Sequence, residues 1–356
     1  MVRIVLAGLG VLIAVLVIRA ATVFTKVDGT FQTLTPMVAD ACERLDIAPG
    51  TEDVEIDEAT GRVYVSAADR RQWYNEGGSK GAPGADNGIY MFDIDDPATL
   101  RKVSPDEMTD FLPHGISHWR GESGVERLFV VNHPSTGEEI VEIFAIREDG
   151  SLDHRESISF DEMYSPNDVT GVGLRKFYAT NDRRFESGLL GLAELYLALP
   201  LTSVVYYDGA EGRYAAKGLA YANGINQSAD GRTIYVAEFL NRKIVPFTRT
   251  IKTGALSKRI ARSVDTGPDN IDVAADGRLF IAGHSKATQF VKHAEDPSAT
   301  APSHVVVLEP TNGKQEDLFV SLDGEINGSS VAAAGLGKVI VGAVFDGHVM
   351  ICPADV

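Results

Sequence analysis

Acidic and amide side chains recur at the mouths of strand-like segments in this chain. Glu52 and Asp53 stand ahead of "RVYVS", Asn167 and Asp168 ahead of "KFYATN", Asn223 ahead of "TIYVAEF", and Asp269 and Asn270 ahead of "LFIAGH". Asp and Asn are poor strand formers, and Glu is only somewhat better, so their repeated placement needs a cause. Their oxygens are the ligands that a hard cation such as Ca²⁺ collects, roughly six to eight at a time. The lag to the strand is nearly constant. Glu52 precedes Tyr64 by 12 residues, Asn167 precedes Tyr178 by 11, Asn223 precedes Tyr235 by 12 and Asp269 precedes Phe280 by 11. His114, in "PHGIS", precedes Phe129 by 15 residues and is the outlier of the same series. His133, in "VVNHP", ends the strand of that unit. Imidazole titrates near neutrality and serves as a general base. A cation beside two histidines of one unit is a constellation for activating water. The plainer reading makes the Asp and Asn residues turn formers and each histidine a hydrogen-bonded structural group. The shared register is what favours the first reading.

The elements that position these residues repeat as well. Each unit runs polar cluster, short apolar stretch, glycine turn, strand, and the sixth is "INGSSVAAAGLGKVIVGAV". Six units over about 300 residues leave room for four strands each, which predicts an all-β, six-bladed β-propeller. In such a fold the innermost strands line a central tunnel. Glu52, Asp53, His114, Asn167, Asp168, Asn223, Asp269 and Asn270 then converge at one end of it. The 35 glycines and 15 prolines suit many short strands and turns.

The net charge of −17 excludes a basic nucleic-acid footprint. At the N-terminus, Ile4 to Ile18 is an uninterrupted apolar run between Arg3 and Arg19. Its length is that of a signal peptide and short for a membrane span. Residues 1–20 are therefore expected to be a signal peptide or a retained anchor, and residues 21–356 the propeller domain. That places the protein in the secretory pathway, secreted or membrane-anchored on the extracytoplasmic side. Cys42 and Cys352, the two cysteines, lie near opposite ends of this domain. They can pair in an oxidising compartment or remain thiols; a circular fold brings the termini together and favours the bond. "FESGLLGLAELYLALPL", Phe185 to Leu201, predicts a helix near 186–201 that caps one face or touches a membrane or substrate. Asp69 to Gly88 predicts a long loop and a lid. "GGSKG", Gly77 to Gly81, matches a nucleophile elbow but lacks the strand and helix which that motif needs. Asn226 and Asn327 sit in glycosylation sequons, yet both fall near the expected tunnel.

From Ala41 to Cys352 the chain resembles the serum paraoxonase/arylesterase family of calcium-dependent lactonases. "TEDVEI", "PHGIS", "VVNHP", "NDV…FYATND", "VVYY", "ANGIN" and "DNI" appear in the family's order. The resemblance implies a six-bladed propeller with two Ca²⁺ ions in its tunnel. The catalytic ion would take Glu52, Asn167, Asn223, Asp269 and Asn270. The structural ion would take Asp53, Asp168 and the main-chain carbonyl of Ile116. His114 and His133 match the family's histidine dyad, and Cys42 and Cys352 its disulfide. His284, in "AGHSK", and Tyr221 are candidate pocket residues. Two features depart from the family pattern. Gly283 stands where the family has a free cysteine, and the 69–88 loop is more charged than usual. Substrate choice is where both would act.

The expected function is calcium-dependent hydrolysis of lactones and aryl esters, with organophosphate hydrolysis as a side activity. Its partners are a small-molecule ester or lactone and a lipid surface, with no nucleic acid. Two rivals are a gluconolactonase-type sugar lactonase and a non-catalytic propeller that keeps calcium as a staple. A pure binding module has no need of His114.

Overall fold

A computed structural model describes residues 2–38, 40–75 and 86–354. Its strands form six antiparallel sheets. Blade 1 uses Thr51–Asp57, Arg62–Ala67, Gly88–Asp93 and Asp96–Lys102; blade 2 uses Pro113–Arg120, Glu126–Asn132, Ile140–Ile146 and Leu152–Ile158. Blade 3 uses Pro166–Gly173, Lys176–Asn181, Thr202–Tyr207 and Gly212–Leu219. Blade 4 uses Ala222–Gln227, Thr233–Glu238, Lys243–Thr250 and Ala255–Lys258, with Arg262–Ser263 added beside the third strand. Blade 5 uses Pro268–Val273, Leu279–Gly283, Ser303–Leu308 and Gln315–Ser321. Blade 6 takes three strands from the C-terminus, Ser329–Gly335, Lys338–Ala343 and His348–Pro353. Its outer strand, Glu43–Asp46, comes from the N-terminal side. The first strands of adjacent blades pack on one another in a closed ring. The all-β, six-bladed propeller expected from the repeat is the fold.

Blade 6 is therefore a clasp made from both ends of the domain. The Cys42–Cys352 disulfide locks it across a sequence separation of 310 residues. Between blades lie flat apolar layers. Phe129, Val131, Phe177 and Tyr207 fill the layer between blades 2 and 3. Tyr64, Ile89, Leu128 and Phe144 fill the layer between blades 1 and 2. Fully burying one such side chain contributes about 1.5–3 kcal/mol.

One irregularity repeats in every blade. The innermost strand loses register with its neighbour in its first few residues, between Thr51 and Asp53, Pro113 and Ile116, and Pro166 and Val169. The same shift falls between Ala222 and Ile225, Pro268 and Ile271, and Ser329 and Val331. These bulges free residues from the ladder and re-aim their side chains. Glu52, His114, Asn167, Asp168, Asn223, Asp269, Asn270 and Ser330 are the polar residues they hold. The strand-breaking side chains sit where the strand is already broken.

Among the described residues there are also four α-helices, α1 (Val2–Val27), α2 (Arg70–Asn75), α3 (Gly188–Leu197) and α4 (Ala287–Glu295), and a short 3-10 turn at Phe239–Asn241. Residue 20 falls inside α1, which continues unbroken to Val27. Val23 and Val27 pack with Ala198, Ala220 and Leu240, docking the helix on the propeller. The preceding stretch, with Leu9, Val11, Leu12 and Val15 to Ile18, is exposed. Gly8–Val27 is long and apolar enough to cross a membrane. α3 is shorter than the 186–201 expectation because Ala198 turns left-handed, at φ 46°, and Pro200 follows. The 69–88 segment is not all loop. Asp69 caps α2 by accepting a hydrogen bond from Gln72 N at 3.2 Å, and Gly88 already starts a strand. "GGSKG" lies outside the described residues.

Candidate functional site

The bulges bring the expected residues of blades 1 to 5 to one end of the tunnel. Their amide nitrogens are anchored and their oxygens are not. Asn270 Nδ2 donates to Glu52 Oε1 at 2.9 Å, and Asn223 Nδ2 donates to Asp269 Oδ1 at 2.6 Å. Asn167 Nδ2 reaches Asp182 Oδ2 at 3.4 Å. Glu52 Oε2 and the Oδ1 atoms of Asn167, Asn223 and Asn270 are buried and accept no hydrogen bond among the described residues. Buried acceptors are nearly always satisfied, so four orphans in one ring of bulges require a ligand. A set of carboxylate and amide oxygens fits a hard cation and excludes a soft one. Burial pushes the Glu52 carboxyl well above the usual carboxylate range, with the Arg70 guanidinium opposing it.

Backbone shape matters at two of these bulges. A Cβ on Gly115 would stand 2.4 Å from Asp168 Oδ1, and one on Gly224 would stand 2.4 Å from the Asp269 carbonyl. Only glycine lets adjacent bulges approach this closely.

Asp53 and Asp168 lie one step further along their strands. Asp53 accepts hydrogen bonds from the amides of Val54 (2.9 Å) and Ile116 (2.7 Å). Asp168 accepts them from Val169 (2.7 Å) and Ile225 (2.6 Å). Each carboxylate thus ties its own blade to the next. Both line a cavity of about 10 Å³ together with Ile116, Ile225, Asn270 and Asp272. Burial raises the Asp53 carboxyl to about 7 and carries Asp168 well above the usual range, with Asp53 adding to the latter.

The two histidines meet beside the orphaned oxygens. His114 Nδ1 and His133 Nε2 are 3.0 Å apart, and His114 Nε2 is 3.8 Å from Glu52 Oε2. Burial, then Arg70, then His133 hold the His114 imidazole well below its ordinary pKa. His284 stands across the ring, its Nε2 2.9 Å from Asp269 Oδ2 and its face stacked on Phe290 at 3.8 Å. Phe239 lies edge-on to His284, and Tyr221 tilts against Phe239. The result is an aromatic wall. Asn226 donates to the Ile271 carbonyl and Asn327 to Asp346, so neither sequon amide is free.

Three contributors escaped the sequence pattern. Arg70, buried, donates to the carbonyls of Gly50 (2.8 Å) and Pro113 and lies near Glu52. Ser330, in the sixth bulge, donates to the Glu52 carbonyl at 2.6 Å. Extending the register to "INGSS" would have found it. Glu139 lies 2.6 Å from His133 Nδ1. Neither Arg70 nor Glu139 belongs to the repeat.

Two other clusters do different work. Ser285, His304 and Asp317 form a hydrogen-bonded line, with separations of 2.6 and 2.8 Å. Ser285 is fully buried, and its hydroxyl is taken up by this line. Asp57, His118 and Glu126 cluster near the opposite end of the inner strands, where Arg120 already supplies the cation by pairing with both acids.

The arylesterase family model matches residues 77–352. The chain belongs to the arylesterase family. It is 32% identical to human serum paraoxonase/arylesterase 1 over 307 residues, 84% of each chain. It is 31% identical to chicken serum paraoxonase/arylesterase 2 over 308 residues, again 84% of each. Rabbit serum paraoxonase/lactonase 3 is 27% identical over 89% of this arylesterase-family chain and 90% of its own. Among solved structures, a luciferin-regenerating enzyme aligns with a TM-score of 0.55 at 15% identity, covering 90% of this chain and 95% of its own. A putative gluconolactonase aligns at 0.54 and 18% identity, covering 89% and 94%. At these identities both speak for the fold alone.

Proposed function

We propose that this chain hydrolyses aryl esters and lactones, using Ca²⁺ held by Glu52, Asn167, Asn223, Asp269 and Asn270 and water activated at His114. The observation that carries this reading is the group of four orphaned, buried oxygens beside the His114–His133 pair. Bound there, Ca²⁺ supplies Lewis-acid polarisation of the substrate carbonyl and stabilises charge growing on its oxygen. His114 Nε2 takes a proton from water as the water oxygen bonds to the carbonyl carbon. The proton returns to the leaving oxygen when the ester C–O bond breaks. His133 orients His114 and shares its proton. The wall of His284, Phe290, Phe239 and Tyr221 seats an apolar acyl or aryl group. That wall favours aryl esters and apolar lactones over a sugar lactone. A phosphotriester oxygen fits the same electrophilic position, so organophosphate hydrolysis is expected as a side activity.

A second Ca²⁺ at the cavity of Asp53, Asp168 and Ile116 would link the inner strands and serve stability. The Cys42–Cys352 bond and the exposed apolar stretch of α1 support an extracytoplasmic setting, secreted or anchored. Leu189, Leu190 and Leu192 of α3 are exposed beside α1 and extend the lipid-facing surface. His114→Gln tests the catalytic reading: hydrolysis is lost with calcium still bound. A variant as active as the parent would remove His114 from the catalytic role, and a folded, calcium-loaded parent that hydrolyses neither substrate would leave a binding module as the better account.

A further inference from the structure

The loop that joins the second and third strands of blade 2 carries "PSTGEE", which ends at Glu139. It turns at Gly137, whose φ is 82° and whose amide bonds the Pro134 carbonyl at 3.0 Å. Ser135 pins it from outside: its amide and hydroxyl donate to Asp110 at 2.9 and 2.8 Å. The turn returns Glu139 Oε2 to within 2.6 Å of His133 Nδ1. Both side chains are about nine-tenths buried, at 7% and 10% exposure. The other end of the same imidazole, Nε2, faces His114 Nδ1 at 3.0 Å. Three groups therefore stand in line: Glu139, His133, His114. The line ends at His114 Nε2, on the side of the orphaned oxygens.

We infer that Glu139 is the positioning residue of this pair, fixing the tautomer of His133 and through it the basic nitrogen of His114. The inference rests on the hydrolase reading above. A carboxylate accepts only, so His133 carries its proton on Nδ1 and donates it to Glu139. His133 Nε2 is then a lone pair, and it accepts from His114 Nδ1–H. His114 Nε2 is left as the unprotonated nitrogen, aimed at the site. When Nε2 takes a proton from water, the Nδ1 proton of His114 passes to His133 Nε2. The positive charge comes to rest on His133, 2.6 Å from the Glu139 carboxylate. Glu139 itself takes up no proton. The transfer reverses as the leaving oxygen is protonated, so protons and charge balance over the cycle.

Other histidine–acid pairs in the fold do not do this. His154 meets Glu142 at 2.8 Å on the outer strands, and His304 meets Asp317 behind the fully buried Ser285. Glu142 contributes differently: it accepts from Asn132 Nδ2 at 3.0 Å, while Asn132 Oδ1 accepts from the Leu112 amide at 2.9 Å. That brace holds the backbone on both sides of the histidine pair.

The test uses the full-length, calcium-loaded protein. Glu139→Gln is expected to lower kcat for phenyl acetate about ten- to a hundredfold, with KM and calcium affinity unchanged. Glu139→Asp should recover most of the loss, which a merely structural role would not require. Two-bond ¹H–¹⁵N correlation NMR of ¹⁵N-histidine protein reads the tautomer without turnover. His133 should be protonated on Nδ1 in the parent and lose that preference in Glu139→Gln. An Nε2–H tautomer in the parent would overturn the inference, as would a Glu139→Gln variant of full kcat while His114→Gln is inactive. A parent chain that hydrolyses neither phenyl acetate nor a lactone would overturn the hydrolase reading and the role of Glu139 with it.

Discussion

His114→Gln keeps a polar side chain in the bulge of blade 2 and removes the nitrogen that faces Glu52 Oε2. General-base catalysis is worth about 10²–10⁴-fold, so kcat for phenyl acetate should fall by that factor. Because His114 supports no inter-blade layer, Tm should stay within a degree or two of the parent; a collapse in Tm would mark it as structural. Arg70 makes the opposite case. It is buried, donates to the carbonyls of Gly50 and Pro113 and compensates Glu52. Arg70→Met strands those carbonyls and the carboxylate, and should cost about 3 kcal/mol in urea unfolding of the calcium-loaded protein. A loss under about 0.5 kcal/mol, the range of neutral surface changes, would contradict this. Position in the repeat explains which of these residues could be read in advance. His114 and the carboxylate–amide set share one register, and one register in a ring means one place. Arg70 opens the short helix α2 and Glu139 ends a loop of blade 2; both lie outside the repeat, and no periodicity encodes where they return.

The inner strands work because they begin badly. Each opens with a bulge, and the bulged residues are the ones that strand propensity disfavours. The spacing to the second strand was legible in sequence, but the bulge behind it was not, since an extra unpaired residue looks the same as a longer turn. Helix limits were less legible again. The apolar run from Phe185 to Leu201 hid a stop at Ala198, where a left-handed residue closes α3. Asp69 before α2 is a capping signal that a glycine-rich neighbourhood masked. The clasp of blade 6 also belongs to this scale. Removing the Cys42–Cys352 bond, as Cys42→Ser with Cys352→Ser, should cost about 2–5 kcal/mol and free the outer strand first. Amide exchange over Glu43–Asp46 is the measurement, and unchanged protection there would contradict the clasp.

Over the whole molecule, six blades converge their polar ends on one axis in a chain of net charge −17. Glu52, Asp53 and Asp269 are all buried there, and the Arg70 guanidinium is set against them. A cation bound at the axis joins strands far apart in sequence, so its removal should loosen the ring and not one loop. At a free Ca²⁺ concentration about a hundredfold above Kd, each independent site adds about 2.7 kcal/mol, and chelation should lower Tm accordingly. A Tm indifferent to calcium would remove the staple from the account.

The most direct measurement is hydrolysis of phenyl acetate and a medium-chain δ-lactone by the protein lacking residues 1–20, before chelation, after it, and on return of Ca²⁺. The account predicts activity on both substrates that chelation abolishes and calcium restores. Activity that survives chelation, or a folded and calcium-loaded protein that hydrolyses neither substrate, would contradict it.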